Sequence, residues 1–129
     1  MIVTDASAII EWLIGGPRGQ AVGRALEGED IHAPAHLDVE VAQVTRRLAY
    51  SAVITPARGR AMLELLAKAP IRRVPVAALL PRMWAHRQTL TAYDAAYVAL
   101  AEALPAPLLT FDRKIPKAPG HQTNVVIPE

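Results

Sequence analysis

Cysteine is absent from all 129 residues, which excludes a disulfide framework and any thiolate metal site and agrees with a reducing compartment, so the cytosol is the expected location. Aromatic residues make up only 5% of the chain. Its core must therefore be built from Ala, Val, Leu and Ile, which favours closely packed helices over a sandwich of sheets. No apolar run approaches the ~20 residues of a membrane helix, because Asp5 and Glu11 interrupt the first and Glu102, Pro105 and Pro107 the last. No basic stretch precedes the first apolar residues, so a signal peptide is not expected. The phosphate-cradling patterns GxGxxG and GxxxxGK are missing. His32, His36, His86 and His121 form neither HxH nor HExxH, which leaves a zinc site without support. An excess of one charge is lacking too, with 14 Lys and Arg against 12 Asp and Glu.

What the chain has is an alternation of short apolar strands and helices, at a length that one domain spanning residues 1–129 accounts for. Ile2 to Thr4 reads as a strand ending at Asp5. Ser7 is placed to cap a helix from Ala8 to Ile14, which the Gly15-Gly16 pair closes. Pro17 suits the first turn of a second helix reaching Gly28, and Ile31 to Ala33 reads as a strand. After Pro34, the recurrence of Leu37, Val41, Val44 and Leu48 predicts a helix. Thr55-Pro56 caps another that runs to about Ala69. Ile71 to Val74 reads as a strand, Val76 to Leu90 and Thr91 to Leu104 as helices, and Leu108 to Phe111 as a strand. A helical turn to about Ile115 and a strand from Val125 to Ile127 follow. Parallel strands need crossovers, so this order predicts an α/β sandwich with a parallel sheet.

Four acids break the apolar pattern. Asp5 and Asp112 each end an apolar strand, where ligands of open α/β sheets bind, although either could simply cap a helix N-terminus. Glu40 falls inside the stripe of Leu37, Val41, Val44 and Leu48, so its side chain should point inward. Pairing with Arg46 or Arg47 is the plain alternative, but neither stands at the favoured i+4 spacing. Asp94 completes a Thr91-x-x-Asp94 capping box at the head of a helix that is almost uncharged from Ala92 to Leu104. Asp38 is a reserve candidate nearer the start of the third helix. A buried carboxylate neutralises or finds a cation, so four entering one core suggest a shared metal with oxygen ligands, Mg²⁺ or Mn²⁺. With those acids sequestered, the rest of the surface is basic and suits a polyanion.

Val-Thr-Asp-Ala-Ser-Ala at the N-terminus, Glu40, the block Leu90 to Ala101 (Leu-Thr-Ala-Tyr-Asp-Ala-Ala-Tyr-Val-Ala-Leu-Ala) and Leu109-Thr110-Phe111-Asp112 together resemble a PIN-domain ribonuclease of the VapC toxin type, over nearly the whole length. The resemblance implies a three-layer α/β/α sandwich with a short parallel sheet. It implies Mg²⁺ or Mn²⁺ held by Asp5, Glu40, Asp94 and Asp112, and endonucleolytic hydrolysis of RNA by metal-activated water that leaves a 5′-phosphate and a 3′-hydroxyl. A cognate VapB-type antitoxin and a homodimer are implied as well. Ser7 and Thr110 match positions that carry hydroxyls beside the cluster. Some relatives carry a further acid shortly after the last Asp, where this chain has Arg113 and Lys114.

Those two cations are the first candidates for RNA binding, since an anionic cluster needs neighbouring charge to admit a polyanion. Arg72, Arg73, Arg82 and Arg87 are weaker ones, and His86 with Arg87 could meet phosphate. Trp84, Tyr93 and Tyr97 are expected in core or interface packing rather than in base stacking. A receiver-type phosphoacceptor domain fits poorly, because Glu40 lies within a helix and residues 48–58 contain no acid. A catalytically silent module of the same fold is the other alternative.

Overall fold

The computed structural model describes residues 1–129. Its elements follow as β1 (Ile2–Thr4), α1 (Ala6–Ile14), α2 (Gly16–Leu26), β2 (Ile31–Pro34), α3 (Leu37–Tyr50), α4 (Pro56–Lys68) and β3 (Ile71–Val74). A 3₁₀ turn (Val76–Leu79), α5 (Leu80–Ala85), α6 (Ala92–Ala103), β4 (Leu108–Leu109), α7 (Lys114–Lys117) and β5 (Val125–Val126) complete the chain. The strands pair in parallel in the order β3-β2-β1-β4-β5. Val3 is in register with His32 on one side and Leu108 on the other.

Connection handedness sets the layers. The crossovers β1 to β2 and β2 to β3 move the same way along the sheet, while the crossover from β3 to β4 moves back. Right-handed connections therefore put α1 to α4 on one face and α5 and α6 on the other. The packing agrees: α1 lies against α2, α3 and α4, whereas α6 lies against β1, β2, β4 and α5. The expected α/β sandwich is the observed architecture. Between the layers, Val3, Ile9, Leu37, Val41, Met62, Val98, Leu108 and Leu109 are fully buried. Helix α6 is buried continuously from Ala95 to Ala101, because small residues let it sit closely on the central strands. No helix is long and apolar enough to cross a membrane.

Several boundaries depart from the sequence reading, each for a local reason. Helix α1 begins at Ala6 with Asp5, not Ser7, as its N-cap, because the Asp5 carboxylate reaches the Ala8 amide while the Ser7 hydroxyl is engaged elsewhere. The helix expected from Val76 to Leu90 is instead a 3₁₀ turn and the six-residue α5. Pro81 cannot donate a backbone bond to the preceding turn, and beyond Ala85 the chain tightens, with Arg87 donating to the Trp84 carbonyl at 3.2 Å and Thr89 to that of His86 at 3.1 Å. Strands β4 and β5 are two residues each, shorter than expected; the Thr110 amide still donates to the Val126 carbonyl at 3.1 Å, but the Phe111 amide turns to the Ser7 hydroxyl.

Helices α1 and α2 meet through Gly19, where an added Cβ would lie 2.5 Å from the Glu11 carbonyl oxygen. That neighbour is backbone and cannot turn aside. Gly19→Ala is therefore expected to destabilise the fold by ~1–3 kcal/mol, the usual range for overpacking a close contact, read as a lowered urea midpoint. An unchanged midpoint would show that α2 can slide away from α1 freely.

Candidate active site

From β1 the chain builds outward to β2 and β3, then returns to lay β4 on the other side of β1. Strand order thus reverses between β1 and β4, and the connections leaving the carboxyl ends of those strands diverge and open a crevice. Asp5 follows β1 directly, and Asp112 lies just beyond β4. Glu40 is in the first turn of α3, the helix that leaves β2, and Asp94 is in the first turn of α6. The N-termini of α1, α3 and α6 consequently face this end of the sheet, where their partial positive charge partly offsets the acids.

Asp5 is 5% exposed. Its Oδ1 accepts from the Ser7 hydroxyl at 2.7 Å and the Ala8 amide at 3.1 Å, and its Oδ2 accepts from the Thr110 hydroxyl. Ser7 Oγ in turn accepts from the Phe111 amide at 2.9 Å, and Thr110 Oγ1 from the Asp112 amide at 2.9 Å. The two hydroxyls stand 3.2 Å apart. They tie the exit of β4 to the exit of β1, which explains why those residue types follow the two strands. Burial is the main reason the Asp5 carboxyl is pushed up to about 6, with Asp94 adding to it, even though Thr110, Ser7 and Ala8 all donate to it.

Asp94 is held by its capping box, its amide donating to Thr91 Oγ1 at 3.2 Å. Its carboxyl is also raised, first by burial and then by repulsion from Asp112 and Glu40, with Lys114 opposing. Asp112 Oδ1 accepts from the Lys114 amide at 2.9 Å. Asp94 is thus the acid that the other three, Asp5, Asp112 and Glu40, have in common. Asp5 is the N-cap of α1, whereas Asp112 precedes the N-cap of α7, Arg113, so of the two only Asp5 takes the capping role.

Glu40 reaches the cleft only in part, its side chain 30% exposed. Its neighbour is not Arg46 or Arg47 but His36, one helical turn earlier, with Nε2 lying 2.8 Å from Oε1. That imidazole nitrogen also donates to the Tyr93 carbonyl at 3.2 Å, and Glu40 Oε1 itself completes no directed hydrogen bond. Tyr97 lies against the His36 ring at 4.8 Å between centroids. Burial, then Glu40 and Asp5, push its hydroxyl far above the usual tyrosine range, so it stays protonated. Oxygen donors of this kind suit a hard divalent cation, and mutual repulsion among the acids is what such a cation relieves. As the side chains stand, however, no three carboxylates or imidazoles close around a common point.

Arg113 and Lys114 are exposed beside Asp112. Sequence reasoning did not single out Arg18 of α2, whose guanidinium lies 4.9 Å from the Phe111 ring centroid beside Asp112 while its Nη1 faces Glu11 at 3.5 Å. No local pattern marks it. His36 was missed as well, although its place four residues before Glu40 was a usable signal, and Tyr97, assigned to packing, proves to pack against the site.

Other candidates belong elsewhere. Asp38 receives the Arg73 guanidinium at 3.1 Å, and Arg73 also donates to the carbonyls of Leu66, Ala69 and Ile71. That arginine joins α3, α4 and β3, so neither it nor Asp38 is free for the site. Arg72 faces Asp30 at 3.5 Å. His86 is buried against Glu102 at 2.8 Å, and Arg87 stacks on Trp84 at 4.6 Å. Trp84 and Tyr93 are exposed rather than in the core.

Residues 2–120 match the family model described as the PIN domain. Among characterised proteins, the chain is 41% identical to Ribonuclease VapC12 of Mycobacterium tuberculosis over 125 residues, 97% of each chain. It is 42% identical to Ribonuclease VapC9 of the same organism over 115 residues, covering 89% of this chain and 88% of that one. In three dimensions it superposes on a toxin-antitoxin complex from Klebsiella pneumoniae with a TM-score of 0.69 and 20% identity, covering 100% of this chain and 98% of that one. An acidic crevice at the β1/β4 switch point, a family match over nearly all of its length and close likeness to ribonucleases of the VapC type place the chain in the PIN domain family, among its VapC ribonucleases.

Proposed function

We propose that the chain is a metal-dependent endoribonuclease, the toxin of a toxin-antitoxin pair, acting as a single PIN domain over residues 1–129. What supports this reading is the placement of Asp5, Glu40, Asp94 and Asp112 at one end of the sheet, with the carboxyls of Asp5 and Asp94 raised first by burial and then by acidic neighbours. Mg²⁺ or Mn²⁺, when bound there, supplies charge to polarise a phosphate oxygen and to acidify the attacking water. The protein's own groups do the rest. Ser7 and Thr110 hold the Asp5 carboxylate in one orientation, and Thr110 also fixes the backbone at Asp112. Arg113, Lys114 and Arg18 neutralise RNA phosphates that the acids alone would repel. No side-chain nucleophile is needed: water attacks phosphorus as the bond to the 3′-oxygen breaks, and the family resemblance implies that this leaves a 5′-phosphate and a 3′-hydroxyl.

The same cluster supports a VapB-type antitoxin as partner, inhibiting by placing a basic side chain among the carboxylates. A homodimer is supported by the exposed Leu80, Trp84 and Tyr93, which are 53%, 68% and 66% accessible. Single-stranded and structured RNAs incubated with the purified protein are expected to be cut in Mg²⁺ or Mn²⁺, to survive in EDTA, and to survive with Asp94→Asn. Cleavage that persists in EDTA, or full activity of that variant, rules out the mechanism. Harmless expression without the antitoxin removes the toxin role and favours a silent module.

A further inference from the structure

Helices α3 and α4 pack against each other as a hairpin, so closely that a Cβ added at Gly59 would lie 3.2 Å from Thr45 Cγ2. Its turn is held on both sides. The Val53 amide donates to the Leu48 carbonyl at 2.9 Å, and Arg58 donates to the carbonyls of Leu13 and Ile14 at 3.0 and 3.2 Å, which fastens the hairpin to the end of α1. Between residues 41 and 63 the chain has four arginines, Arg46, Arg47, Arg58 and Arg60, and no acid. This one hairpin thus carries more positive charge than the whole chain's net +2. Arg46 and Arg47 are exposed and enter no ion pair, while Arg60 faces Glu64 at 3.9 Å with both side chains largely in solvent, a pairing that contributes little. At the tip, Tyr50 is 87% and Val53 69% exposed, and the Arg46 guanidinium lies 6.0 Å from the Tyr50 ring centroid.

The hairpin is rooted in the acidic crevice. Glu40, Gln43, Arg47 and Tyr50 follow one another at spacings of three, four and three residues, which sets them in one stripe along α3. At 1.5 Å per residue that stripe climbs about 15 Å from Glu40 to Tyr50. Cations spaced along a fixed helix, with an aromatic ring at its end, suit a single-stranded nucleic acid, the charges meeting phosphates and the ring meeting a base. We propose that the tip of this hairpin is a second RNA contact, in which Arg46 and Arg47 take backbone phosphates and Tyr50 stacks on an unpaired base, several nucleotides from the bond that is cut. A paired stem keeps its bases stacked on one another, so the open ring of Tyr50 selects a single-stranded or looped segment. This contact rests on the reading of the chain as a ribonuclease, and it lies outside the four acids.

A labelled, unstructured RNA of about 12 nucleotides, within the usual span of single-strand sites, is titrated with the protein in EDTA, where it is expected to stay uncut, and followed by fluorescence anisotropy over a range of salt. Arg46→Gln combined with Arg47→Gln removes both charges and keeps good helix formers in place. That pair is expected to weaken binding by about tenfold and to flatten the log–log salt dependence by about 1.4, since each phosphate contact on a single strand contributes about 0.7. Tyr50→Ala is expected to weaken binding between about fivefold and a hundredfold, the range for losing one stacked base, and to leave the salt slope unchanged. In Mn²⁺, both changes should raise KM for this RNA and leave kcat level, as the loss of binding made equally in ground and transition states does. A merely structural role would not divide the salt slope in this way between the charged and the aromatic variants. Wild-type affinity in either variant overturns the inference and leaves the tip to a protein contact. Failure of the ribonuclease reading is told apart from this, because the wild type would then neither hold nor cut the RNA.

Discussion

Asp5→Asn is expected to lose RNA cleavage by at least about a hundredfold, since even residues that only orient a metal ligand cost 10–100-fold, and Asp5 is itself the most buried of the four acids. The variant should fold. Its amide oxygen can still accept from Ser7 and from the Ala8 amide, which preserves the cap of α1. Thr110 has only to turn its hydroxyl and accept from the new amide. The loss is therefore of charge at one place and not of structure. It is checked by single-turnover cleavage in saturating Mn²⁺ beside circular dichroism of both proteins. Activity within a few-fold of wild type would remove Asp5 from the machinery.

The same substitution should change how stability depends on pH. Asp5 has its carboxyl raised from 3.8 to about 6 in the folded chain, so the fold binds this proton more tightly than the unfolded chain does. Its contribution is complete below the unfolded value, declines as pH rises, and is gone above the folded value. A shift of about two pH units corresponds to ~3 kcal/mol. Ion-free wild type should thus lose that much stability relative to Asp5→Asn between about pH 4 and pH 7, and the variant should be the more stable of the two at neutral pH. Mn²⁺ added at pH 7 should stabilise wild type by mass action and leave the variant nearly unmoved. Paired urea titrations at the two pH values in EDTA settle it, and a difference that stays flat with pH means that the carboxylate is better solvated than its burial indicates.

Active sites commonly hold buried groups that destabilise the fold around them, and here the parts can be traced to particular residues. Ser7 and Thr110 have hydroxyls that could have served helix capping or strand propensity alone. They are instead consumed in holding Asp5 and the turn into Asp112, and with Ser7 engaged there Asp5 takes over the cap of α1. Asp38 stood behind Glu40 on the same helix as a reserve candidate. What separates them is Arg73, 35 residues away in sequence, which arrives from β3 and claims Asp38.

Several features were legible without coordinates because they depend on neighbours within a turn or two. The apolar stripe of α3, the Thr55 and Thr91 caps, the proline stops and the alternation of strands with helices all come from local propensity and periodicity, and the alternation alone implied parallel crossovers. The four acids were legible because each interrupts such a pattern. What periodicity could not supply was any distance between segments. That Glu40 faces His36 and Tyr97 rather than an arginine, that Arg18 reaches the rim over Phe111, and that the helix expected through Val76 to Leu90 breaks after α5 depend on contacts between residues far apart in the chain or on tight turns that a smooth apolar pattern hides. Local sequence determined which segments form and which carboxylates are out of place among them. Only the tertiary packing, through the reversal of strand order between β1 and β4, decided that those carboxylates come to the same end of the sheet, since that reversal is a property of how distant strands pair and is written in no single stretch of residues.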